Sequence, residues 1–500
     1  MAGTSPVRTA NEWPNMTRAR STKGRGAPLP TVSARLSSHV TLERRADGKI
    51  VASFDGYSVG LGTFSAPAGD RAQDLRTGLP LASFASGDGS IDKEIDVLVR
   101  RLARHGLLEY PLAYSQNDAD QVVIEPQVPD YWPRMSQVGD ADILVLSRFA
   151  YMRRRGDEMV LESPRAGALF KICDPKIATA VATLATPLGV KQFRRHDDFP
   201  GSELLALLVD CQILFKVTAD SGERTTEGGA DLVLWDFHDL LFHARSTEGR
   251  HANPLGGVFS YADVIPPLPA VRSRWPGESI DLRKFLAAPS QPVSPVGRLL
   301  RERHSTRSFD DERPITLAEL SLFLDSTARV LSRSEKALGD GGPAIAYATR
   351  PYPSAGSSYE LELYLVVGKC EGLAPGFYHY DAGEHALVPI AARPHELAAL
   401  LRGAVFAMDA PAAPQVLITI AARFGRVSWK YSAIAYALIL KDVGVLIQTL
   451  YMMATDMGLG GCATGITNID LFAKMTGIEF HVEGPVGQFA IGRAKPGASG

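Results

Sequence analysis

The sequence predicts an α+β protein in which two small winged-helix-like α/β modules precede a larger α+β domain. Five hundred residues exceed what one hydrophobic core usually organises, so we expect several domains. The first half contains a faint internal repeat, in which each unit has a strand pair, helices and a closing apolar strand. Prolines recur between residues 266 and 295 and indicate a semi-rigid linker before the second half.

The two repeat units show the same order of patterns. The first has a hairpin pattern at 40–52, an amphipathic helix at 91–104 and a closing strand at 107–110. The second has a hairpin around 155–157 and a helix at 204–210, followed by an apolar strand. These patterns divide the chain into a disordered tail at 1–30, a first module at 31–135, a second module with its connector at 136–262, a proline-rich linker at 263–296 and the larger domain at 297–496.

The composition is typical of a soluble globular protein, with 45% hydrophobic and 22% charged residues. The net charge of −2 implies no general affinity for polyanions, and helix 91–104 mixes acidic with basic residues. We therefore expect the modules to bind a peptide or protein rather than nucleic acid. The basic tail lacks the apolar segment of a secretory signal. Four widely separated cysteines indicate neither a disulfide framework nor a metal site, so a cytoplasmic location is the simplest expectation.

Two apolar stretches are interpreted as packed structure. The longest apolar run, 434–459, contains Lys441, Asp442, Gln448 and Asp456, which a membrane span rarely holds, so we predict a buried core helix and no membrane. The aromatic-rich segment 234–245 is predicted to be a connector that packs against the next domain.

A polar loop at 350–359 leads into an alternating, half-buried strand at 360–367. Its prolines restrain the backbone, its glycine permits close approach, and three serines offer hydroxyls beside free N–H groups. This serine loop suits a flat, polar ligand such as a flavin ring. The alternative is an ordinary turn at the entry to a strand.

Cationic side chains before and after this loop suit an anion. Arg303, Ser305 and Arg307 alternate in a segment expected to be extended, so they would point the same way. Arginine forks bind phosphate through two hydrogen bonds, and Arg493 at the end of an apolar strand offers a further cation. A solvated basic turn remains the alternative. Thr316 and Glu319 predict a capping box at the start of a helix.

The segment 429–457 is predicted to be one long helix that opens with Lys430 and Tyr431. Burial of the lysine would lower its pKa towards that of a working base, although many such lysines only extend to solvent. A glycine-rich turn at 458–465 is expected to present free backbone N–H groups, with Cys462 as a wall residue.

Together these features resemble the flavin-dependent nitroreductase superfamily, and within it the SagB-type or McbC-like azoline oxidases. The resemblance covers 295–495 and rests on 353–356, 376–380, Lys430-Tyr431, 444–451, 470–473 and 484–487. It implies a mixed sheet flanked by helices, a homodimer, and FMN bound between the two subunits. Serines stand at 357 and 358, near where simple nitroreductases usually have asparagine, which fits the oxidase branch.

The resemblance also implies roles for individual residues. Lys430 and Tyr431 would remove a proton from the azoline. The cofactor-binding residues would be Arg303, His304, Ser305, Arg307 and Arg493 around the phosphate, Pro353, Ser354, Ala355, Gly356 and Ser357 from the partner subunit, and Gly461, Cys462, Ala463 and Thr464 along the ring edge.

The implied reaction removes two hydrogens from a thiazoline or oxazoline in a ribosomally made precursor peptide. A cyclodehydratase is a candidate docking partner. One alternative is an NAD(P)H-dependent nitro- or quinone reductase on the same fold. Another is a non-catalytic scaffold that binds a peptide, and a DNA-binding regulator is disfavoured because no basic face is evident.

Overall fold

The computed structural model describes residues 29–54, 57–85, 90–115, 118–193, 201–217, 227, 229–248, 259, 262–272, 274, 276–286 and 293–495. Helices and sheets are both present, so the predicted α+β class is confirmed. The predicted tail at 1–30 lies outside the described residues except for its last two positions.

Thirteen strands are described in the first half. They are β1 (Thr31–Leu36), β2 (Thr41–Arg44), β3 (Lys49–Phe54), β4 (Tyr57–Thr63), β5 (Leu79–Pro80), β6 (Leu108–Ala113), β7 (Val122–Pro126), β8 (Ile143–Leu146), β9 (Tyr151–Arg155), β10 (Glu158–Glu162), β11 (Ala168–Ile172), β12 (Leu188–Gly189) and β13 (Leu214–Lys216). The helices are α1 (Ala66–Arg71), α2 (Ala82–Ala85), α3 (Ser90–Arg104), α4 (Pro175–Thr183), α5 (Val190–Phe193), α6 (Gly201–Asp210), α7 (Gly229–Val233) and α8 (Phe237–Arg245).

The two predicted modules share a sheet. Seven strands pair in the order β5-β1-β6-β7-β11-β10-β9, and β7 from the first module pairs with β11 from the second. Ile124 and Phe170 are partners in this pairing, and both are fully buried in one continuous core. Sequence periodicity predicted the hairpins β2–β3 and β9–β10 and helix α3, but it gave no sign of this shared sheet.

The second half contains six helices and eight strands in its described residues. The helices are α9 (Pro295–Glu302), α10 (Leu317–Ala328), α11 (Pro394–Met408), α12 (Gly425–Ser428), α13 (Ala435–Asp456) and α14 (Ile469–Thr476). The strands are β14 (Ser332–Ala337), β15 (Ala344–Thr349), β16 (Leu361–Val367), β17 (Gly376–Asp381), β18 (Ala386–Ile390), β19 (Val416–Arg423), β20 (Gly460–Thr464) and β21 (Glu483–Gly492).

The main sheet of this half has the order β18-β17-β16-β19-β21-β20, and β14 and β15 form a separate exposed hairpin. Every pairing in the main sheet is antiparallel, so within one chain the sheet is not mixed as the resemblance implied. The central strand β19 is buried from Val416 to Ala422. Helix α10 opens with the predicted capping box of Thr316 and Glu319.

Helix α13 starts later than the sequence predicted. The chain forms the short α12, then a turn through Lys430 and Tyr431, and the long helix begins only at Ala435. Ala433 has φ 58°, a left-handed conformation that a continuous right-handed helix cannot contain. The predicted long helix over 429–457 is therefore wrong in its first six residues, and Lys430 and Tyr431 lie in a turn.

The predicted glycine-rich turn at 458–465 is also corrected. Residues 461–464 form strand β20 at the edge of the sheet rather than a turn, because they pair with β21. Gly461 is required there, since a side-chain carbon at this position would collide with the ring of Phe489. Further upstream, α9 ends at Glu302, and Arg303 is its C-cap.

The connector packs against the second half of the chain, and helix α13 runs through the core of that half. Trp235 from the predicted connector is buried, donates its indole N–H to the carbonyl of His481 at 2.8 Å and packs 4.6 Å from the ring of Phe424, which confirms the packed connector. Among the described residues α13 alone is long and apolar enough to cross a membrane by length and composition. Its buried residues, including Asp442 and Leu446, face the core of the second half.

Candidate functional site

The serine loop is held in an unusual backbone conformation. Residues 355–357 form one turn of 3-10 helix, and Gly356 has φ 56°. Ser357 and Tyr359 also have positive φ, 55° and 44°, although neither is glycine. Left-handed non-glycine residues are costly and persist only where their surroundings enforce them. The loop is thus set in shape by its contacts.

Lys430 and Tyr431 lie directly against this loop. The side-chain nitrogen of Lys430 donates to the carbonyl oxygen of Gly356 at 3.1 Å. A side-chain carbon at position 356 would displace the Tyr431 hydroxyl and the Lys430 amine, and the positive φ of Gly356 favours glycine there. Lys430 is exposed in the single chain, and the burial expected from the sequence is not present there.

Two carboxyl groups anchor the other side of the loop. Asp442 of α13 accepts hydrogen bonds from the Ala355 N–H at 2.8 Å and the Ser354 hydroxyl at 3.0 Å. The same hydroxyl lies 3.2 Å from the carboxyl of Glu360 and accepts the N–H of Tyr359 at 2.9 Å. One hydroxyl hydrogen cannot serve both acids at once. A protonated Glu360 satisfies the second contact.

Burial favours that protonated form. Glu360 is fully buried, and among the described atoms its Oε1 has no hydrogen-bond partner. Desolvation, together with the charge of neighbouring Asp442, raises the pKa of Glu360 from its ordinary value of 4.5 to about 7. The serine loop therefore rests on an acid that carries its proton at or near neutral pH.

A second cluster forms around Tyr451 of α13. The Tyr451 hydroxyl lies 2.9 Å from the Ser305 hydroxyl and accepts the Ala463 N–H at 2.8 Å. The guanidinium of Arg303 stands over the Tyr451 ring, 5.0 Å from its centre. Because β20 is an edge strand, its outer carbonyl at Gly461 is free to accept the Thr306 N–H at 2.8 Å. Hydrogen bonds thus join the 303–307 segment to β20.

The charge of this second cluster suits a phosphate group. In the described part of the chain neither Arg303 nor Arg307 has a carboxylate within ion-pair distance, whereas neighbouring Arg298 and Arg313 do. The buried Cys462 thiol has its pKa raised by desolvation, partly opposed by the positive charge of Arg307. Two arginines without described counter-charges, in a segment that also carries a serine hydroxyl, suit a phosphate group.

Other predicted cofactor residues are placed differently. Arg493 forms a two-point ion pair with Glu319 at 2.7 Å and donates to the Arg313 carbonyl, so its guanidinium is not brought to the Arg303 group. His304 is exposed, with Nδ1 3.0 Å from the carbonyl oxygen of Glu302. The Thr464 hydroxyl donates to Gln488 at 3.3 Å. Pro353 is exposed at the start of the serine loop.

The two clusters lie on opposite faces of α13. Asp442 and Tyr451 are separated by about two and a half helical turns, which places them roughly half a turn apart in azimuth and roughly 13–14 Å apart along the axis. The helix itself therefore stands between the serine loop and the Arg303 group of one chain.

A cavity of about 370 Å³ opens beside Lys430. It is lined by the serine loop, α12 and the hairpin β14–β15, and also by Asp231 and Leu234 of the connector. Both halves of the chain therefore contribute to its wall.

Sequence reasoning missed three residues that organise these clusters, namely Glu360, Asp442 and Tyr451. Asp442 had a usable signal, because an acid inside an apolar helix has to find buried partners. Nothing in the local sequence distinguishes Tyr451 or Glu360 from ordinary core and strand residues.

Two protein-family models match the chain. Residues 300–493 match the model described as the nitroreductase family, and residues 144–252 match the model described as cyanobactin oxidase ThcOx. The second match covers strands β9–β11 and the connector that carries Asp231 and Trp235.

Two solved structures illustrate how distant the structural likenesses are. A Ralstonia eutropha protein described as a nitroreductase is 22% identical, covers 46% of this chain and 99% of its own, and has a TM-score of 0.31. A chain of the Escherichia coli microcin synthetase McbBCD complex is 20% identical, covers 53% and 96%, and has a TM-score of 0.35. Both are too distant to assign a function.

The sequence relationship is closer. A Methanocaldococcus jannaschii protein described as a nitroreductase, MJ1384, is 30% identical over 169 residues, which are 33% of this chain and 76% of that protein. This relative and the family match over 300–493 establish that the chain belongs to the nitroreductase family.

Proposed function

We propose that this protein is an FMN-dependent oxidase that converts thiazoline or oxazoline rings in a peptide to thiazoles or oxazoles. The observation that carries the proposal is the contact of Lys430 with the Gly356 carbonyl. It puts the lysine–tyrosine pair, which the azoline oxidases are expected to use, directly on the loop expected to touch the flavin. The match of 144–252 to the cyanobactin oxidase family supports the same reading.

Different residues of this chain would bind the cofactor and remove the proton. Arg303 and Arg307 hold the phosphate, and the serine loop presents its N–H groups and hydroxyls to the ring system. FMN held by these residues would supply the redox chemistry, as the acceptor for the hydride from Cβ of the azoline. Lys430 takes the Cα proton, and the adjacent Tyr431 hydroxyl orients the amine and the ring.

We also propose a homodimer with two composite sites. In one chain α13 separates the serine loop from the Arg303 group, so one flat ligand cannot touch both clusters of the same protomer. Two chains related by a twofold axis could place the serine loop of one over the Arg303 group of the other. Such an arrangement would also cover the exposed Lys430.

Incubation of the purified protein with an azoline-bearing peptide tests the function. We expect a loss of two hydrogens per ring by mass spectrometry, dependent on bound flavin and on air. An unchanged peptide mass, with flavin present and oxygen supplied, contradicts the proposal.

A reductase of nitro compounds or quinones is the second candidate, and the relationship to the M. jannaschii nitroreductase favours it. Anaerobic addition of NADPH separates the two functions. Rapid bleaching of the flavin followed by reoxidation with a nitroarene supports the reductase, whereas slow bleaching beside efficient azoline oxidation supports the oxidase.

A further inference from the structure

A second cavity, of about 480 Å³, lies between the hairpin β14–β15 and the base of the serine loop. Four arginines line it, and we name it the arginine cavity after them: Arg333, Arg350, Arg423 and Arg426. Among its described lining residues Glu335 is the one carboxylate. Tyr347 and Tyr359 provide flat aromatic walls.

Few carboxylates lie near these arginines, and their ion-pair distances are long. Glu362 is 3.5 Å from Arg350 and 3.8 Å from Arg423, so one acid serves two guanidinium groups without short contacts. Arg333 has Glu384 at 3.8 Å. An arginine that is fully paired with a carboxylate has shorter contacts. In this chain Arg493 lies 2.7 Å from both carboxylate oxygens of Glu319.

Two of the arginines are buried or half-buried without a close carboxylate partner, which is energetically unfavourable for a charged group. Arg350 has only 7% of its side chain exposed, and among the described atoms its Nε has no hydrogen-bond partner. Arg426 donates only to the carbonyl oxygens of Ser358 and Ala346, and no described carboxylate lies within ion-pair distance. Burial lowers the pKa of Arg426, and the like charge of Arg423 adds to this.

An adjoining cavity is lined by three of these arginines, Arg333, Arg350 and Arg423, together with the acids Glu362, Asp381 and Glu483. Glu483 is a poor counter-charge for the arginines. Burial raises the pKa of its carboxyl group, and its carboxylate already accepts a hydrogen bond from the Tyr364 hydroxyl. Of the four arginines, Arg426 lines the arginine cavity without lining this more acidic one, so it is the guanidinium furthest from these acids in the described linings.

The arginine cavity adjoins the cavity at Lys430. Tyr347, Ser358, Arg423 and Arg426 line both. A ligand with its reacting ring at Lys430 therefore has a short path to the guanidinium groups.

We propose that the arginine cavity binds a carboxylate of the peptide substrate, close in sequence to the azoline. This inference rests on the proposed function, because that function makes the ligand a peptide. Peptides carry carboxylates on Asp and Glu side chains and at the C-terminus, and a planar carboxylate matches the arginine fork. Bound there, it neutralises Arg426 and fixes the direction in which the peptide crosses Lys430.

Equilibrium binding of labelled peptides, measured without oxygen so that no turnover occurs, tests the inference. The peptides carry one azoline flanked by Glu or Gln, and each is made with a C-terminal acid or amide. We expect the wild type to bind the Glu peptide or the C-terminal acid about tenfold more tightly than the neutral peptide. A preference for Glu over Gln identifies a side-chain carboxylate as the ligand, and a preference for the acid over the amide identifies the C-terminal carboxylate.

The variants Arg426→Gln and Arg423→Gln should reduce this preference to about one. Arg423 is about half exposed and serves as the second variant should loss of the Ser358 contacts disturb folding. Arg402→Gln, at an exposed arginine of α11 outside the cavity, should keep the wild-type preference. Equal wild-type affinity for acidic and neutral peptides overturns the inference.

Loss of NADPH-dependent bleaching in Arg426→Gln would also overturn it, because the arginines would then bind a dinucleotide phosphate. The mass-loss assay reports separately on the proposed function. Carboxylate-dependent binding without oxidation leaves this site standing and refutes the oxidase alone.

Discussion

Asp442 and Tyr451 lie on opposite faces of α13, and each organises one half of the candidate site. Asp442 binds the serine loop through the Ala355 N–H and the Ser354 hydroxyl. Tyr451 binds Ser305 and the edge strand β20. A rigid, largely buried helix therefore fixes the distance between the loop of one proposed site and the phosphate group of the other.

The composite site predicts one FMN per subunit and two per dimer. Native mass spectrometry of the purified yellow protein should give a dimer with two FMN molecules. FAD in place of FMN, or a monomer that retains its flavin in solution, would show that the site is not built from two chains in this way.

Arg303→Ala and Arg307→Ala should weaken FMN retention without unfolding the protein. Each removes a charge-assisted contact to phosphate worth about 1.5–3 kcal/mol, which corresponds to roughly ten- to a hundredfold in affinity. Flavin content after gel filtration measures the effect. Arg329→Ala, which removes an exposed arginine paired with Asp325 on α10, is the matched control and should keep its flavin. Full flavin content in both test variants would refute the assignment of the phosphate site.

Gly356→Ala should abolish azoline oxidation. The new methyl group would collide with Lys430 and Tyr431, and the left-handed backbone at 356 adds strain. Initial rates with an azoline peptide measure the loss. Gly403→Ala in α11, where nothing lies within 4 Å of the added carbon, is the control and should be as active as the wild type. A fully active Gly356→Ala variant would mean that oxidation does not require Lys430 and Tyr431 to lie against the serine loop.

Glu360 should make the protein less stable as the pH rises. The folded state keeps a proton that the unfolded chain releases, so this stabilisation is complete below about pH 4.5 and is lost by about pH 7. Denaturant unfolding from pH 4.5 to 8 should show that decline in the wild type and a flatter profile in Glu360→Gln. Glu479→Gln, at an exposed site, should behave as the wild type. Parallel profiles for all three proteins would contradict a proton shared beneath the loop.

Local patterns predicted the elements that local contacts determine. The Thr316–Glu319 capping box and strand β16 were visible in short windows of sequence, although β16 is buried along most of its length rather than half-buried. The break at Ala433 was not, because an alanine gives no warning that it will adopt a left-handed conformation.

The organisation of the site depends on partners distant in sequence. Asp442 bonds to a residue 87 positions away, and Tyr451 to one 146 positions away. Motif resemblance named the serine loop, the Arg303 segment and Lys430-Tyr431, but it could not show that Arg493 is committed to Glu319. That outcome depends on where α10 packs, which periodicity does not specify.

The most direct test of the account compares azole formation by Lys430→Ala and Tyr431→Phe with the wild type. Both variants should keep their FMN and lose roughly 10²–10⁴-fold in rate, as expected when a general base is removed. Lys474→Ala, at an exposed lysine of α14, is the control and should keep the wild-type rate. Yellow, fully active Lys430→Ala and Tyr431→Phe proteins would contradict the central claim and assign proton removal to another residue.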